Sequence, residues 1–460
     1  MKYKKPIFYI LLITLITRLL FFFDYHEIWW DSAVYIGMGK YLFSFAQQGL
    51  WEPIRPILWP IILGFIWKIK LDPVFFGRLL TLIISLAIIY LTYSVTNKIY
   101  NKDTAIISSI LIAFSSVFFF FDFRIYTEIP AVLFVLLALL FSLKNRSLFS
   151  GFFIGLAFLT KFPAGIFLIC LLPLIIEKKK IKNLLYYGLG FLIPVIPYFI
   201  LNQMMYGNFL FPLIEASNVI KKVAGCNYLR YQPWFYYFVQ IVKDNFFNIF
   251  ALAGIYFSIK KLSRKNLSIL LGVLLPLIYF THLHCRDIRY LIIFIPFISI
   301  LAGNGIEVLS KKIKKQKRIF MLLIILVISI TLSITYYIQN ESKFKVVPKE
   351  NFYEFAQNEE IEKEIWATTP LVNLYVSKEV KLLYYPLYGV GTILDFENYV
   401  NYENISYVFL DTCGGGMTCI PEDKQCMQKT TDFINKLDST FDKVYNESFG
   451  VCNYYIFREK

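Results

Sequence analysis

Acidic residues are scarce over most of this 460-residue sequence, since only 13 of its 32 aspartates and glutamates fall within residues 1–338. The motifs of many soluble enzymes are missing as well. The chain has no phosphate-binding GxxxxGK[ST] loop, no GxGxxG, no GxSxG and no HExxH. It also has no Asp-X-Asp pair, which argues against the metal clamp of enzymes that use nucleotide sugars.

Apolar residues are abundant instead. The sequence is 57% hydrophobic and 19% aromatic, whereas soluble domains are typically about 45–50% apolar. Apolar runs long enough to cross the ~30 Å hydrocarbon core recur along the chain. The first run continues to Phe23, contains Arg18 and shows no small-residue cleavage site, so it resembles an uncleaved span. We therefore predict a multi-pass protein of the cell membrane.

The net charge of +15 is unevenly distributed. Residues 1–338 hold 35 lysines and arginines against 13 acids, whereas residues 339–460 hold 12 against 19. The basic residues cluster in short loops between apolar runs, which is typical of topology signals rather than of a nucleic-acid groove. The sequence predicts membrane lipids as partners and no nucleic acid.

The number of membrane crossings follows from the apolar runs and the basic loops. The short run 57–67 is predicted to be an interfacial or re-entrant helix. If it does not cross, the basic loops lie on the same side as the N-terminus, which is then cytoplasmic. Residues 24–73, 122–128, 202–245 and 282–289 then lie outside. The eleven predicted spans are 6–23, 74–96, 105–121, 129–143, 148–160, 164–176, 183–201, 246–259, 267–281, 290–308 and 319–338.

Residues 339–460 have shorter apolar runs, of strand length. The predicted strands are Glu364–Thr369, Val380–Tyr385, Ser406–Leu410, Lys443–Asn446 and Tyr454–Phe457, with a helix over Lys424–Leu437. The predicted fold class is mainly α. A polytopic transmembrane domain of about 11 spans, with interfacial helices in its first outer loop, occupies residues 1–338. A small extracytoplasmic α/β domain occupies residues 339–460. Its cysteines, Cys413, Cys419, Cys426 and Cys452, favour two disulfides in any of three pairings.

Two acids on the predicted outer face are candidate catalytic residues. Asp31 follows Trp30 and precedes Tyr35, aromatic residues that fit either an interfacial belt or a sugar-stacking platform. Transfer of a sugar to a hydroxyl needs a base, and reduced solvation would raise the pKa of a carboxylate at such an interface. A solvated loop acid is the alternative. Glu128 begins a span, where the helix dipole also favours an acid.

Basic residues on the same face are candidate phosphate ligands. Lys161 interrupts an apolar stretch, Arg286 and Arg289 precede a span together with Tyr290, and Arg55 is a weaker case. Arginine offers two-point contact to a phosphate. Lipid headgroup binding or an ion pair with a neighbouring aspartate are the alternatives.

The three histidines, His26, His282 and His284, all fall in predicted outer segments. Alternate histidines on a loop are weak metal ligands by themselves. The sequence predicts no definite cofactor and leaves a divalent metal at His282 and His284 open.

Five segments together resemble the multispanning GT-C glycosyltransferases of the protein O-mannosyltransferase and aminoarabinose-transferase type, over about residues 6–310. They are Trp30–Tyr35, Arg55-Pro56, Tyr126–Pro130, Gly155–Pro163 and Arg289–Leu291. The resemblance implies an inverting transferase that takes a sugar from polyprenyl or dolichyl phosphate at the outer leaflet. Asp31 would be the base, Glu128 an assisting acid or a group that orients the acceptor, and Lys161 and Arg289 the ligands of the lipid phosphate. The acceptor would be a hydroxyl of a lipid, a glycan or a protein.

Two other functions stay open. A transporter or flippase for a lipid-linked sugar predicts ionisable residues near the bilayer midplane and internal repeats, and the sequence shows neither pattern. A non-catalytic relative would use its outer domain to bind a partner.

Overall fold

The computed structural model describes residues 5–176, 181–222, 232–283, 286–311, 314–341, 350–357, 363–383, 405–412, 424–450 and 452–460. His284, Cys413 and Cys419 lie outside these ranges, and so do the predictions made for them. The described chain is helical up to Glu341 and ends in a single five-stranded sheet. This confirms the mainly α class with a small C-terminal α/β part.

The α-helices, numbered over the described residues, follow the apolar runs. They are α1 (Lys5–Phe22), α2 (Trp30–Phe43), α3 (Leu58–Lys68), α4 (Pro73–Ile99), α5 (Lys102–Ala113), α6 (Ser116–Phe121), α7 (Glu128–Leu143), α8 (Ser147–Thr160), α9 (Phe167–Cys170), α10 (Leu172–Ile175), α11 (Ile181–Tyr206), α12 (Phe211–Lys222), α13 (Tyr236–Asp244), α14 (Ala251–Lys260), α15 (Arg264–His282), α16 (Ile295–Ser310), α17 (Lys315–Glu341), α18 (Glu350–Gln357) and α19 (Lys424–Thr440).

Four of the described helices, α4, α11, α15 and α17, are long and apolar enough to cross a membrane unaided. Helices α13 and α14 meet at a bend of 118° and make a fifth span if they are counted together. Shorter apolar helices, among them α7, α8 and α16, match other predicted spans. The chain is a multi-pass membrane protein, while the number eleven and the sidedness of the termini stay predictions. The run 57–67 forms α3, a helix of 11 residues.

Among the segments predicted as continuous spans, 105–121 and 164–176 are broken, and 246–259 and 290–308 each begin in a 3₁₀ helix. The 105–121 run splits into α5 and α6 because the Ser115 side chain accepts from the Phe118 amide and caps a new helix. The Ser115 hydroxyl also donates to the Asp244 carboxylate at 2.7 Å. The 164–176 run consists of a 3₁₀ turn over Phe162–Ile166 followed by the short helices α9 and α10. The break between α5 and α6 is stabilised by the contact of Ser115 with Asp244, which is far away in the sequence. The pattern of apolar residues therefore did not predict it.

All five predicted strands form, within a few residues of their predicted ends. They are β1 (Glu364–Ala367), β2 (Val380–Leu382), β3 (Ile405–Asp411), β4 (Asp442–Phe449) and β5 (Cys452–Arg458), in the spatial order β2-β1-β3-β5-β4. Strand β1 lies parallel to β2 and β3, and β5 lies antiparallel to β3 and β4. Cys452 is disulfide-bonded, as predicted, while the pairing of the four cysteines stays a prediction.

The sheet packs against α2 and the loop that follows it. Val34, Met38 and Leu50 share one apolar cluster with Val372 and Val380 of the C-terminal part. The Gly49 carbonyl accepts from the Val380 amide at 2.7 Å, which adds the loop to the edge of β2. Helix α2 therefore has one side against the sheet and carries the candidate acid Asp31 in its first turn.

Candidate active site

Five charged residues from five separate segments meet at the beginning of α2. Asp31 lies in the first turn of α2, and Glu128 is the first residue of α7. Lys161 directly follows α8, and Arg289 lies in the 3₁₀ helix over Ile288–Ile293. Arg55 comes from the loop before α3. The structure therefore brings together both candidate acids and three of the four candidate cations.

Asp31 is held by two guanidinium groups. Arg289 Nη1 donates to one of its carboxylate oxygens, and Arg55 Nη2 lies 2.9 Å from the other. Arg55 also donates through Nε to Glu52 at 2.7 Å. Asp31 is buried despite its position on a predicted loop. Paired, hydrogen-bonded carboxylates are the usual form in which an acid is buried, so the alternative of a solvated loop acid is wrong.

Glu128 is also buried and paired with cations. Lys161 Nζ lies 2.5 Å from its Oε1, and Arg289 Nε lies 3.7 Å from the same oxygen. Among the described residues the other oxygen, Oε2, has no hydrogen-bond partner. Arg289 also approaches Asp287 at 3.5 Å, so the ion pair considered for this segment exists alongside the contact to Asp31. Arg289 thus contacts three carboxylates at once.

Tyrosine rings line the charged cluster. The Arg289 guanidinium lies 5.1 Å from the ring centre of Tyr126 and 5.4 Å from that of Tyr290, and Lys161 Nζ lies 5.0 Å from the Tyr290 ring. Arg55 lies 5.8 Å from the Tyr35 ring. These distances fit cation–π contacts. Of the predicted aromatic residues, Tyr35 and Tyr290 therefore belong to the cluster.

The electrostatics of Asp31 differ from the prediction. Burial raises the pKa of Asp31, but the guanidiniums of Arg289 and Arg55 lower it more, so the pKa of Asp31 lies well below its ordinary value. The expected upward shift from poor solvation was wrong, because the sequence could not show that two arginines meet this carboxylate. Asp31 is ionised at neutral pH.

Three other predicted site residues lie elsewhere. The Arg286 guanidinium donates to the Thr281 carbonyl and to the Gln232 carbonyl, so it stabilises backbone rather than the cluster. Trp30 packs against the apolar cluster of the sheet. His282 is exposed at the end of α15. Among the described residues no group of three or more potential metal ligands occurs.

Three further contributors to the cluster were not predicted as site residues: Tyr126, which the sequence placed only within a motif, Asp287, which it considered only as an ion-pair partner, and Glu52. Tyr126 lies two residues before Glu128, and Asp287 two residues before Arg289. Residues two apart lie on the same side of an extended segment. This spacing could have predicted that Tyr126 and Asp287 lie near the site. Glu52 had no such signal, because only the fold brings Arg55 between Glu52 and Asp31.

The fold of the chain is similar to that of solved multi-pass GT-C glycosyltransferases. The structure of ArnT from Cupriavidus metallidurans bound to undecaprenyl phosphate has a TM-score of 0.70 at 12% identity, covering 99% of this chain and 98% of that one. The oligosaccharyltransferase AglB from Archaeoglobus fulgidus, in complex with an inhibitory peptide and a dolichol-phosphate, has a TM-score of 0.58 at 12% identity, covering 98% and 74%. The arabinofuranosyltransferase AftD from Mycobacteria has a TM-score of 0.55 at 11% identity, covering 99% and 41%.

The family follows from the sequence. The model of the Alg9-like mannosyltransferase family matches residues 5–381, so the chain belongs to that family. The match includes every charged residue of the cluster and ends at β2. A search of curated proteins found no match. The resemblance to GT-C transferases that the motifs suggested is confirmed.

Proposed function

We propose that this protein transfers a sugar from a polyprenyl or dolichyl phosphate to a hydroxyl of a lipid, glycan or protein acceptor, with inversion, at the outer face of the membrane. The observation that carries the proposal is the convergence of Asp31 and Glu128 with Lys161, Arg55 and Arg289 in one buried cluster. It combines a base with cations suited to a phosphate leaving group.

The three cations are the proposed ligands of the donor phosphate. In the free protein their charge is neutralised by carboxylates. An incoming lipid phosphate offers oxygens that compete with these carboxylates for Lys161 and Arg289. Both ArnT and AglB, the fold relatives, have been solved with a prenyl phosphate, which supports a donor of this chemical class.

Asp31 is the proposed base. It removes the proton of the acceptor hydroxyl while the acceptor oxygen bonds to the anomeric carbon and the bond from that carbon to the phosphate oxygen breaks. The lipid phosphate leaves with the electron pair of the broken bond. When negative charge develops on the phosphate, Arg289 is attracted to it and away from Asp31. The pKa of Asp31 then rises towards its ordinary value, which favours proton uptake at that moment.

A groove beside Lys161 is the proposed place for the first prenyl units. It has a volume of about 500 Å³, and Phe162 and Pro163, the residues that follow Lys161, are part of its lining. Its other lining residues are mostly apolar and are Phe158, Ile166, Leu213, Ala216, Ser217, Tyr279, His282 and Leu283. Apolar walls next to a phosphate ligand fit the chemistry of a prenyl phosphate.

The test is transfer by purified Asp31→Asn protein from a synthetic polyprenyl-phosphate sugar. We expect the rate to fall by at least about a hundredfold, because general-base catalysis typically contributes 10²–10⁴-fold. Asp24→Asn is the matched control, since Asp24 is an exposed acid in the same loop, and it should keep the wild-type rate. An Asp31→Asn protein as fast as the wild type would disprove the role of Asp31.

A further inference from the structure

A second basic pocket lies on the other side of α2. It has a volume of about 690 Å³ and is lined by Lys40, Lys68 and Lys70, with Trp67 and Leu71 as its apolar wall. Asp72 is the one acid in its lining, and both oxygens of that carboxylate accept from backbone amides at the start of α4, at 2.9 and 3.1 Å. The pocket therefore carries a net positive charge.

Lys40 is the buried member of this pocket. Its Nζ donates to the Asn373 carbonyl at 2.6 Å, and only 7% of the residue is exposed. Burial lowers the pKa of Lys40 to about 8. Among the described residues none of the three lysines forms an ion pair with a carboxylate. A buried, charged lysine without a counter-ion is costly, so an anion in this pocket would stabilise it.

An apolar groove lies beside the basic pocket. It has a volume of about 560 Å³ and lies between α3 and α4. Its lining is wholly apolar and consists of Phe43, Ile61, Ile62, Phe65, Ile66, Phe76, Leu79, Leu80 and Ile83. The two spaces are neighbours, because Lys68 of the basic pocket donates from Nζ to the carbonyl of Phe43, which lines the groove, at 3.2 Å. The lining residues Phe76 to Ile83 place the groove about 5–15 Å along the axis of α4 from its N-terminus, at a rise of 1.5 Å per residue.

We propose that this pair of spaces binds an anionic phospholipid. The lipid phosphate contacts Lys68 and Lys70 at the membrane surface, close to Lys40, and an acyl chain lies along α3 and α4. Charge and shape both support this occupant, because a positive pocket adjoins an apolar groove that follows a helix long and apolar enough to span a membrane.

The site is separate from the catalytic cluster. Lys40 is nine residues after Asp31 on the same helix, which places it about 14 Å along the axis and on the opposite side of α2. The lipid is therefore a resident ligand and not the sugar donor, and its binding does not depend on transfer activity.

Native mass spectrometry of the purified full-length protein tests the proposal. Phosphatidylglycerol should bind at one copy per chain and more tightly than zwitterionic phosphatidylcholine. The variant Lys68→Gln/Lys70→Asn should bind phosphatidylglycerol about tenfold to thirtyfold more weakly, since each lysine near an anionic lipid contributes about 1 kcal/mol. Both side chains are exposed, and asparagine tolerates the positive φ of Lys70. The fold should therefore survive.

The matched control is Lys260→Gln/Lys261→Gln, which removes two exposed lysines at the end of another apolar helix. It should leave phosphatidylglycerol binding unchanged. Leu80→Trp fills the groove and should weaken the lipid without weakening inorganic phosphate. Equal phosphatidylglycerol affinity of the wild type and the Lys68/Lys70 variant would overturn the site. Tighter binding of undecaprenyl phosphate here, or full competition by inorganic phosphate together with an inert Leu80→Trp change, would overturn the assignment to a phospholipid.

Discussion

The Nδ2 group of Asn373 donates to the carbonyl of Ala33 at 3.1 Å, although 340 residues separate the two in the chain. Ala33 lies two residues after Asp31, and the Asn373 carbonyl accepts from Lys40 further along the same helix. The C-terminal part therefore holds the helix that carries the proposed base at two points. Asn373 is completely buried.

We expect Asn373→Ala to reduce transfer without removing any group of the charged cluster. The loss of the amide frees α2 to shift, and small displacements of a catalytic group are costly. The rate constant kcat should fall several-fold while KM for the donor stays close to the wild-type value. Steady-state kinetics with a polyprenyl-phosphate sugar provide the measurement.

Gly37→Ala is a second variant at the same contact. A Cβ on Gly37 would lie 2.6 Å from Leu50 Cγ and 3.0 Å from Asn373 Cγ, so it should push Asn373 away and give the same kinetic pattern. An effect on KM alone, with kcat unchanged in both variants, would show that Asn373 does not position α2.

The Lys161–Glu128 pair gives a prediction about stability. Lys161→Met leaves the buried Glu128 without its partner at 2.5 Å, and breaking a buried pair costs about 3–5 kcal/mol. The double variant Lys161→Met/Glu128→Gln should recover most of this loss, since it no longer buries a carboxylate whose closest cation has been removed. Thermal unfolding in detergent measures both.

An exposed pair provides the comparison. Lys363 Nζ also lies 2.5 Å from Glu459, but both side chains are at least one third exposed. Lys363→Met should therefore cost less than about 1 kcal/mol. A loss of similar size in Lys161→Met and Lys363→Met would contradict the difference that we draw from burial.

The low pKa of Asp31 predicts the pH dependence of activity. The folded pKa lies below the unfolded value of about 3.9, so the unfolded chain binds more protons as the pH falls through this region. The stability contributed by Asp31 is present above the unfolded pKa and is lost below it as the pH falls through the folded pKa.

The kcat/KM of the wild type should have no acid limb from Asp31 above about pH 5.

Arg289→Gln removes the strongest of the charges that lower this pKa. As the pH is lowered, kcat/KM of this variant should begin to fall at a higher pH than kcat/KM of the wild type does. Any loss of donor binding would lower kcat/KM at all pH values as well. The shape of the pH–rate profile separates the two effects. Identical acid limbs in both proteins would refute the assignment of the lowered pKa to Arg289.

Helix α11 offers a matched test of close helix packing. A Cβ on Gly190 would overlap the Leu148 carbonyl of α8, whereas a Cβ on Gly188 would meet nothing within 4 Å. Gly190→Ala should therefore lower the unfolding temperature in detergent. Gly188→Ala should leave it unchanged or raise it, because alanine is the better helix former by about 1 kcal/mol. Equal effects of the two changes would disprove the close approach of α8 and α11.

The sequence predicted the positions of the helices and strands well, because runs of apolar residues set both. It predicted Asp31, Glu128, Lys161 and Arg289 as site residues through motifs, but not their pairing. Arg289 is 258 residues from Asp31, and no local pattern encodes a contact of that range. The prediction of Arg286 as a site residue failed for the same reason. Arg286 has the same charge as Arg289 and lies three residues before it, but it donates to backbone carbonyls.

The wide spacing of the paired residues also has a consequence for synthesis of the protein. When the ribosome has made Lys161, Asp31 and Glu128 have both been translated, but Arg289 has not. During that interval Asp31 lacks its contact with Arg289, and Arg55 is the cluster residue available to form an ion pair with it. Chaperoning by the membrane insertion machinery, or hydration, must accommodate these acids until the second half of the chain arrives. The charged cluster is therefore completed late in synthesis. A nascent chain that ends before Arg289 does not contain all of its residues.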